Sequence, residues 1–314
     1  MTPELPITFS RHGHSYNNTT VSGHSRAHFG DVYNYHNSDS AQKALLEWLS
    51  PINPSYSHNQ ACKQYLTHTL RWFFEDRGFQ RWCHNHDDTS PQTLWCRGGP
   101  GTGKTTLTAQ ILCHLQDRAI PSGDIAIVYC RYAERGSQDI ENIAGSILAQ
   151  LFQNAERGFD IPSNIETASK NQPWFWSRRP TLADLKDWMS DRLRASRPVY
   201  ILVDALDELD ARTRQGLLAC LRTTLLDHSA VRLLVTSRDI PEDATAPSKV
   251  QIVKIFAHQD DLQAVVDHGL QSEGIEAFQR SILGNPTHDS RLTALRETVA
   301  SRVVSAAGEM YAAP

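Results

Sequence analysis

No apolar run in these 314 residues is long enough to cross a bilayer, since a helical span needs about 20 consecutive apolar residues. Charge of one sign is missing as well. Lys and Arg number 31 against 35 Asp and Glu, a net charge of −4, so nothing draws the chain generally to nucleic acid or anionic lipid. The start, Met1 to Pro6, has neither the basic nor the apolar region of a secretory signal. The six cysteines (Cys62, Cys83, Cys96, Cys113, Cys130, Cys220) form no C-x-x-C pair. They read as buried thiols of a reducing cytosol rather than a disulfide framework. A cytoplasmic location is therefore expected, and the sequons at Asn17 and Asn18 are idle there. Apolar content of 40% and charged content of 21% are those of an ordinary globular protein. The length suits one large α/β domain with extensions, or about two domains.

What is there is organised around Trp95-Cys96-Arg97-Gly98-Gly99-Pro100-Gly101-Thr102-Gly103-Lys104-Thr105-Thr106. The pattern G-x-x-x-x-G-K-T is a phosphate-binding loop. An apolar run from Thr93 precedes it, and a helical pattern (Leu107, Ile111, Leu112, Leu115) follows. The context matters, because such a loop works only between a buried strand and a helix N-terminus. Gly98, Gly101 and Gly103 let backbone N–H groups approach phosphate oxygens, and the helix dipole adds positive potential there. Gly98 to Thr106 are the candidate nucleotide-binding residues: Gly98, Gly99, Pro100, Gly101, Thr102, Gly103, Lys104, Thr105 and Thr106. Lys104 is expected to reach the β- and γ-phosphates, and the Thr105 hydroxyl to hold Mg²⁺. The alternative is a glycine-rich turn that binds nothing.

Residues 1–40 are rich in Asn, Ser, His, Thr and Gly and poor in large aliphatics. A segment that buries so little does not offset its ordering entropy, so a disordered polar leader is expected. A helical lead-in is expected over 41–90. It holds a helix with Ala44, Leu45, Trp48 and Leu49 on one face, ended by Pro51 and Pro54, then a second helical region from about Gln60 to Cys83. Cys83-His84-Asn85-His86 invites a metal reading, but its spacing fits no zinc pattern and a second ligand pair is missing. It reads as a solvated helix end.

The nucleotide domain is expected over 91–257. Strands near 93–96, 125–130, 199–203, 231–236 and 250–255 alternate with helices 104–117, 140–152, 182–195 and 211–226, and a loop-like insertion occupies 155–180. That alternation predicts an α/β fold with a doubly wound parallel sheet of five core strands, its ligand at their carboxyl ends. From 258 to 314 the pattern is helical only (262–270, 275–283, 292–307).

The apolar strand Val199 to Val203 ends in Asp204-Ala205-Leu206-Asp207-Glu208. An acid at the tip of such a strand holds Mg²⁺ in phosphate-loop enzymes, so Asp204 is the candidate metal residue beside Thr105. The alternative for Asp204 is a helix cap. Asp207 and Glu208 are catalytic candidates, either able to orient the attacking water. They can equally be acids that begin a helix. Arg238 ends the next strand. If that strand lies between the first and the third, Arg238 faces the γ-phosphate and can neutralise transition-state charge, the alternative being a solvated loop arginine.

The set Gly98 to Thr106, Val199 to Glu208 and Leu233 to Arg238 resembles a NACHT domain of the fungal NOD-like-receptor type, similar to the nephrocystin-3-like N-terminal module. The small Ala205 after the Mg²⁺ aspartate, followed by Asp207 and Glu208, is the telling detail. Leu45 to Pro54, Trp72 to Trp82 and Val303 to Tyr311 also resemble fungal members, so the resemblance covers roughly 41–311. It implies a P-loop NTPase of the signal-transducing kind, an ATP- or ADP-binding switch with Mg²⁺ that rests with ADP, opens on exchange for ATP and self-associates. It further implies a slow ATP hydrolysis and a role in fungal non-self recognition or programmed cell death. Within residues 1–40, Asn18 to Asn34 resembles one repeat of a HET-s-type amyloid segment, which makes other NACHT or amyloid-motif proteins the expected partners. No winged-helix segment or sensor repeat array follows the helical region, so a truncated product or a regulator is expected.

Two other classes compete. A non-catalytic adaptor would assemble through residues 1–40, with nucleotide only stabilising the fold. A small-molecule kinase would need a basic lid, for which Ser177-Arg178-Arg179-Pro180 is the candidate.

Overall fold

The computed structural model of the chain describes residues 10–11, 14–15, 40–63, 69–84, 90–117, 123–153, 165, 178–194, 198–238, 249–256, 258–270, 298 and 301–302. Two units separate, Met1–Asn34 and Tyr35–Pro314. In the first, β1 (Ser10–Arg11) pairs antiparallel with β2 (His14–Ser15). The stretch 18–34 that resembles an amyloid repeat lies outside the described residues, as do the expected helix 275–283 and most of the insertion 155–180 and of the helix 292–307.

The second unit begins with α1 (Ser40–Leu49), α2 (Pro54–Lys63), α3 (Arg71–Glu75) and α4 (Arg77–His84). This corrects the expectation of one helical region from Gln60 to Cys83. Pro54 does not delay the next helix but opens it, because the first helical position needs no N–H and suits the fixed φ of proline. The side chain of Asn53 accepts from the Ser55 N–H at 3.0 Å and closes that first turn. Further on the helix is broken twice. Leu70 takes a left-handed conformation at φ 60° before α3. Asp76 is extended, and its Oδ1 accepts from the N–H groups of Gly78 and Phe79 at 2.7 and 3.0 Å, which caps α4.

Five strands then form one parallel sheet: β3 (Thr93–Gly98), β4 (Asp124–Tyr129), β5 (Val199–Asp204), β6 (Val231–Ser237) and β7 (Val250–Ile255). Their order is β4-β5-β6-β3-β7. All four pairings are parallel. The connecting helices are α5 (Lys104–Asp117), α6 (Ile140–Gln153), α7 (Leu182–Leu193) and α8 (Ala211–Asp227), with α9 (Gln259–Leu270) after β7. The α/β architecture is the one expected, and β6 lies between β5 and β3, which meets the condition set for Arg238. Helix α7 starts with a capping box, in which Thr181 and Asp184 satisfy each other's backbone N–H groups.

Strands β3, β4, β5 and β6 are buried on both faces and read as largely apolar runs, whereas the edge strand β7 keeps one face exposed at Ile252 and Lys254. Consecutive residues point to opposite cores. Trp95, Ile201 and Leu233 pack with α1, α6, α7 and α8, while Leu94, Leu202 and Leu234 pack with α3, α4 and α5. The lead-in helices thus contribute to both layers. On the first, α1 lies against α6 so closely that a Cβ on Gly145 would sit 2.1 Å from the Leu49 carbonyl oxygen. The edge strand β4 is covered by Gln150 of α6, whose amide accepts from the Ile127 N–H and donates to its carbonyl at 2.9 and 2.8 Å. Among the described residues no helix is long and apolar enough to cross a membrane.

Candidate functional site

The site stands at the carboxyl ends of β3, β5 and β6. Strand β3 runs into Gly99-Pro100-Gly101-Thr102-Gly103, and Lys104 is the first residue of α5. The loop is fitted so closely to the backbone that side chains are excluded. A Cβ on Gly98 would lie 2.4 Å from the Ile255 carbonyl oxygen and 2.7 Å from Thr102 Oγ1. Gly101 and Gly103 take φ values of 75° and 86°, where a side chain is strained. The loop leads directly into the N-terminus of a 14-residue helix, and loop amides at such an end form a cradle for anionic oxygens. Thr102 Oγ1 donates to the Gly99 carbonyl at 3.0 Å and locks the turn.

Lys104 folds over this loop, its ammonium donating to the carbonyls of Gly98 and Gly99 at 2.9 and 2.7 Å. Burial pulls its pKa down, and Asp207, Asp204 and Glu208 oppose that shift through their charge, while Arg238 adds to it. The five charged candidates thus share one electrostatic neighbourhood.

Asp204 closes β5 and is 2% exposed. Burial raises its carboxyl above the usual range, and hydrogen bonds from Thr236, Thr105 and Thr108 hold it down, with help from Lys104. Thr236 Oγ1 donates to Asp204 Oδ1 at 2.7 Å and Thr108 Oγ1 at 2.9 Å. Thr236 also accepts from the Ala205 N–H at 2.9 Å. Ala205 sits at φ 54°, which turns the chain away from the strand. The alanine Cβ still makes that left-handed turn cost about 1 kcal/mol, though less than a β-branched side chain would. Thr108 and Thr236 were not candidates from sequence. Their signal is a hydroxyl one turn into the loop helix and another at the tip of the strand between β3 and β5.

Asp207 and Glu208 lie on a single 3-10 turn, Leu206–Glu208. Asp207 is tied to Arg238 twice. Its Oδ1 accepts from the Arg238 N–H at 2.9 Å, and its Oδ2 is 3.1 Å from Arg238 Nε. Glu208 Oε2 accepts from the Tyr132 N–H at 3.0 Å, just past β4. The helix-cap alternative falls to a different residue: Asp210 accepts from the Thr213 N–H at 3.0 Å and caps α8. Behind Arg238, Trp95 Nε1 donates to Ser237 Oγ at 2.8 Å, and Ser237 Oγ donates to the Arg238 carbonyl at 2.7 Å. The pair expected as a basic lid is engaged elsewhere. Arg178 pairs with Asp184 at 3.0 Å, and Arg179 donates to the Trp48 carbonyl at 3.1 Å. His84 ends α4, and its neighbours Asn85 and His86 lie outside the described residues.

A family model described as Nephrocystin 3, N-terminal, matches residues 68–238, the span from just before α3 to Arg238. No curated protein matches the chain significantly. Among solved structures, a Walker-type ATPase of Pyrococcus abyssi is similar at 16% identity and a TM-score of 0.37, covering 62% of this chain and 59% of its own. Drosophila ORC bound to DNA is similar at 16% identity and a TM-score of 0.42, covering 72% of this chain and 56% of its own. PCH-2 of C. elegans is similar at 13% identity and a TM-score of 0.38, covering 88% of this chain and 62% of its own. The chain spans less than two thirds of the length of each of these three.

Proposed function

The chain belongs to the nephrocystin 3, N-terminal family of P-loop NTPases, and on that premise we propose that it is an ATP- and ADP-binding switch of the NACHT type. The observation that carries this reading is the gathering of Asp204, Asp207, Glu208 and Arg238 around Lys104 at the mouth of the phosphate loop. Gly98 to Thr106 bind the phosphates, and Thr105 and Asp204 hold Mg²⁺. The donor set suits a hard cation that keeps several waters, since it offers one hydroxyl and one carboxylate. Mg²⁺ neutralises charge on the phosphates when bound. The hydroxyls of Thr236 and Thr108 offset part of the burial cost of the Asp204 carboxylate and keep it aimed. Glu208 or Asp207 orients the attacking water in a slow hydrolysis. Arg238, released from Asp207, contacts the γ-phosphate and reports which nucleotide is present.

The readout is self-association, or recruitment of other NACHT or amyloid-motif proteins, in the cytoplasm. The resemblance to fungal members makes non-self recognition or programmed cell death the setting, with residues 18–34 as the assembling segment. The division into leader (1–40), lead-in (41–90), nucleotide domain (91–257) and helical subdomain (258–314) belongs to this reading.

The test is molar mass by light scattering of the purified chain with Mg²⁺-ADP and with a non-hydrolysable Mg²⁺-ATP analogue. The switch predicts a small species with ADP and a larger one with the analogue. Equal masses despite demonstrated binding of both would contradict it. An assembly that ignores nucleotide and vanishes when residues 1–37 are removed would favour the adaptor instead.

A further inference from the structure

Away from the phosphate loop, two thiols and an imidazole converge. Helix α2 presents His58 and Cys62 at i,i+4 spacing on one face. Helix α5 presents Cys113 to them, and ligand atoms of the three lie within 4.8 Å of one another. Cys62 Sγ is 3.3 Å from His58 Nε2, and the Cys113 side chain hydrogen-bonds that of Cys62. A tetrahedral ion with Zn–S near 2.3 Å and Zn–N near 2.0–2.1 Å separates sulfur from nitrogen by about 3.6 Å, and two sulfurs by about 3.8 Å. The Cys62 sulfur and the His58 nitrogen, 3.3 Å apart, are close to that spacing, and Cys113 lies within 4.8 Å of both.

The surroundings suit the same purpose. His58 is 8% exposed, and its Nδ1 lies 2.9 Å from the hydroxyl of Tyr129, which ends β4. With Nδ1–H donating to the Tyr129 oxygen, the Nε2 lone pair is left for a ligand, the arrangement by which outer-shell partners orient metal-bound histidines. Cys62 and Cys113 are free thiols and only half-buried, which leaves a path for entry.

We propose that His58, Cys62 and Cys113 bind a thiophilic divalent cation, Zn²⁺, with the fourth position left to solvent or an exogenous ligand. Binding forms two Zn–S bonds and one Zn–N bond, and the two thiols release their protons to solvent while the histidine enters neutral. The ion ties α2 of the lead-in to α5, the helix whose first residue is Lys104. Its occupancy therefore stiffens the lead-in against the nucleotide domain. The site does not depend on nucleotide being bound.

The probe is Co²⁺ added to the full chain after reduction and chelation. One equivalent is expected to give sulfur-to-cobalt charge-transfer absorption and intense tetrahedral d–d bands, both removed by Zn²⁺ and untouched by excess Mg²⁺. Cobalt in an oxygen-ligated Mg²⁺ site gives no sulfur band, so the two sites are distinguishable. Cys113→Ser should lower the sulfur band by at least half and weaken Co²⁺ binding, and Tyr129→Phe should weaken affinity by about 10–100-fold. In the unmutated chain, stoichiometric Zn²⁺ should protect Cys62 and Cys113 from alkylation, mapped by peptide; this reading needs no folded variant. Absence of a sulfur band with the thiols shown to be reduced would overturn the proposal. So would equal alkylation with and without Zn²⁺, or a Cys62–Cys113 disulfide that excludes Zn²⁺ in glutathione buffer at cytosolic poise.

Discussion

Asp204 and Asp207 are three positions apart, yet the chain treats them in opposite ways. Asp204 is 2% exposed and takes its hydrogen bonds from threonines of α5 and β6, elements packed into the core. Asp207 is held by Arg238, whose side chain is 58% exposed. The left-handed Ala205 separates the two environments. Burial makes Asp204 costly to ionise and rigid once ionised, which suits a fixed metal ligand. The Asp207 side chain is only 10% exposed, but its arginine partner stands largely in water, where a phosphate can compete for the guanidinium. The interior of the site is therefore permanent and its rim exchangeable, and a switch needs both.

The comparison can be broken most forcefully from the inside. Thr236→Val removes a hydroxyl that donates to Asp204 and accepts from the Ala205 N–H. It is expected to cost about 2–3 kcal/mol by urea unfolding, because a buried charge loses a donor and a buried N–H loses its acceptor. Asp204→Asn acts on the other partner and should not destabilise the nucleotide-free chain. Burial raises the Asp204 carboxyl in the folded state, so the folded chain binds a proton more readily than the unfolded one. Stability from this group is greatest at low pH and falls as pH rises from about 4, the ordinary carboxylate value, through the raised folded value. Asp204→Asn should remove that falling contribution from the pH dependence of unfolding, along with the Mg²⁺-dependent part of nucleotide binding.

The rim should respond differently. Arg238→Ala is expected to cost about 1–2 kcal/mol, since the guanidinium is solvent-screened but its loss leaves the mostly buried Asp207 carboxylate with only the Arg238 N–H. It should nevertheless shrink the preference for ATP over ADP measured by titration calorimetry. A large loss of stability with unchanged nucleotide preference would place Arg238 with the interior instead. The smallest effect is expected at the junction. Ala205→Gly relieves a left-handed φ of 54°, but gives back a similar amount in chain entropy, so unfolding should move by less than about 1 kcal/mol.

Much of this was legible before any fold was in hand, for a physical reason. Strands buried on both faces read as continuous apolar runs, so Val199 to Asp204 and its neighbours stand out. The phosphate loop is a local pattern that needs no distant partner. Features made by distant residues were not legible. Thr108 meets Asp204 across 96 positions and Thr236 across 32. The metal reading attached to Cys83 and His84 because they are adjacent, whereas the thiols and imidazole that meet come from α2 and α5. The breaks at Leu70 and Asp76 were hidden as well, because the aromatic run Trp72 to Phe74 continues a helical pattern. Leu70 is turned by a bond from its N–H to Asp261, a residue 191 positions away.

The central claim is that the loop from Gly98 to Thr106 binds Mg²⁺-nucleotide in the folded chain, and thermal unfolding tests it most directly. The chain is melted alone and with Mg²⁺-ADP or Mg²⁺-ATP at about a hundred times the dissociation constant, beside Lys104→Ala. A ligand bound only by the folded state adds about 2.7 kcal/mol under those conditions, so a clear rise in Tm is predicted for the parent and none for the variant. A folded, nucleotide-stripped parent whose Tm does not move would contradict the account.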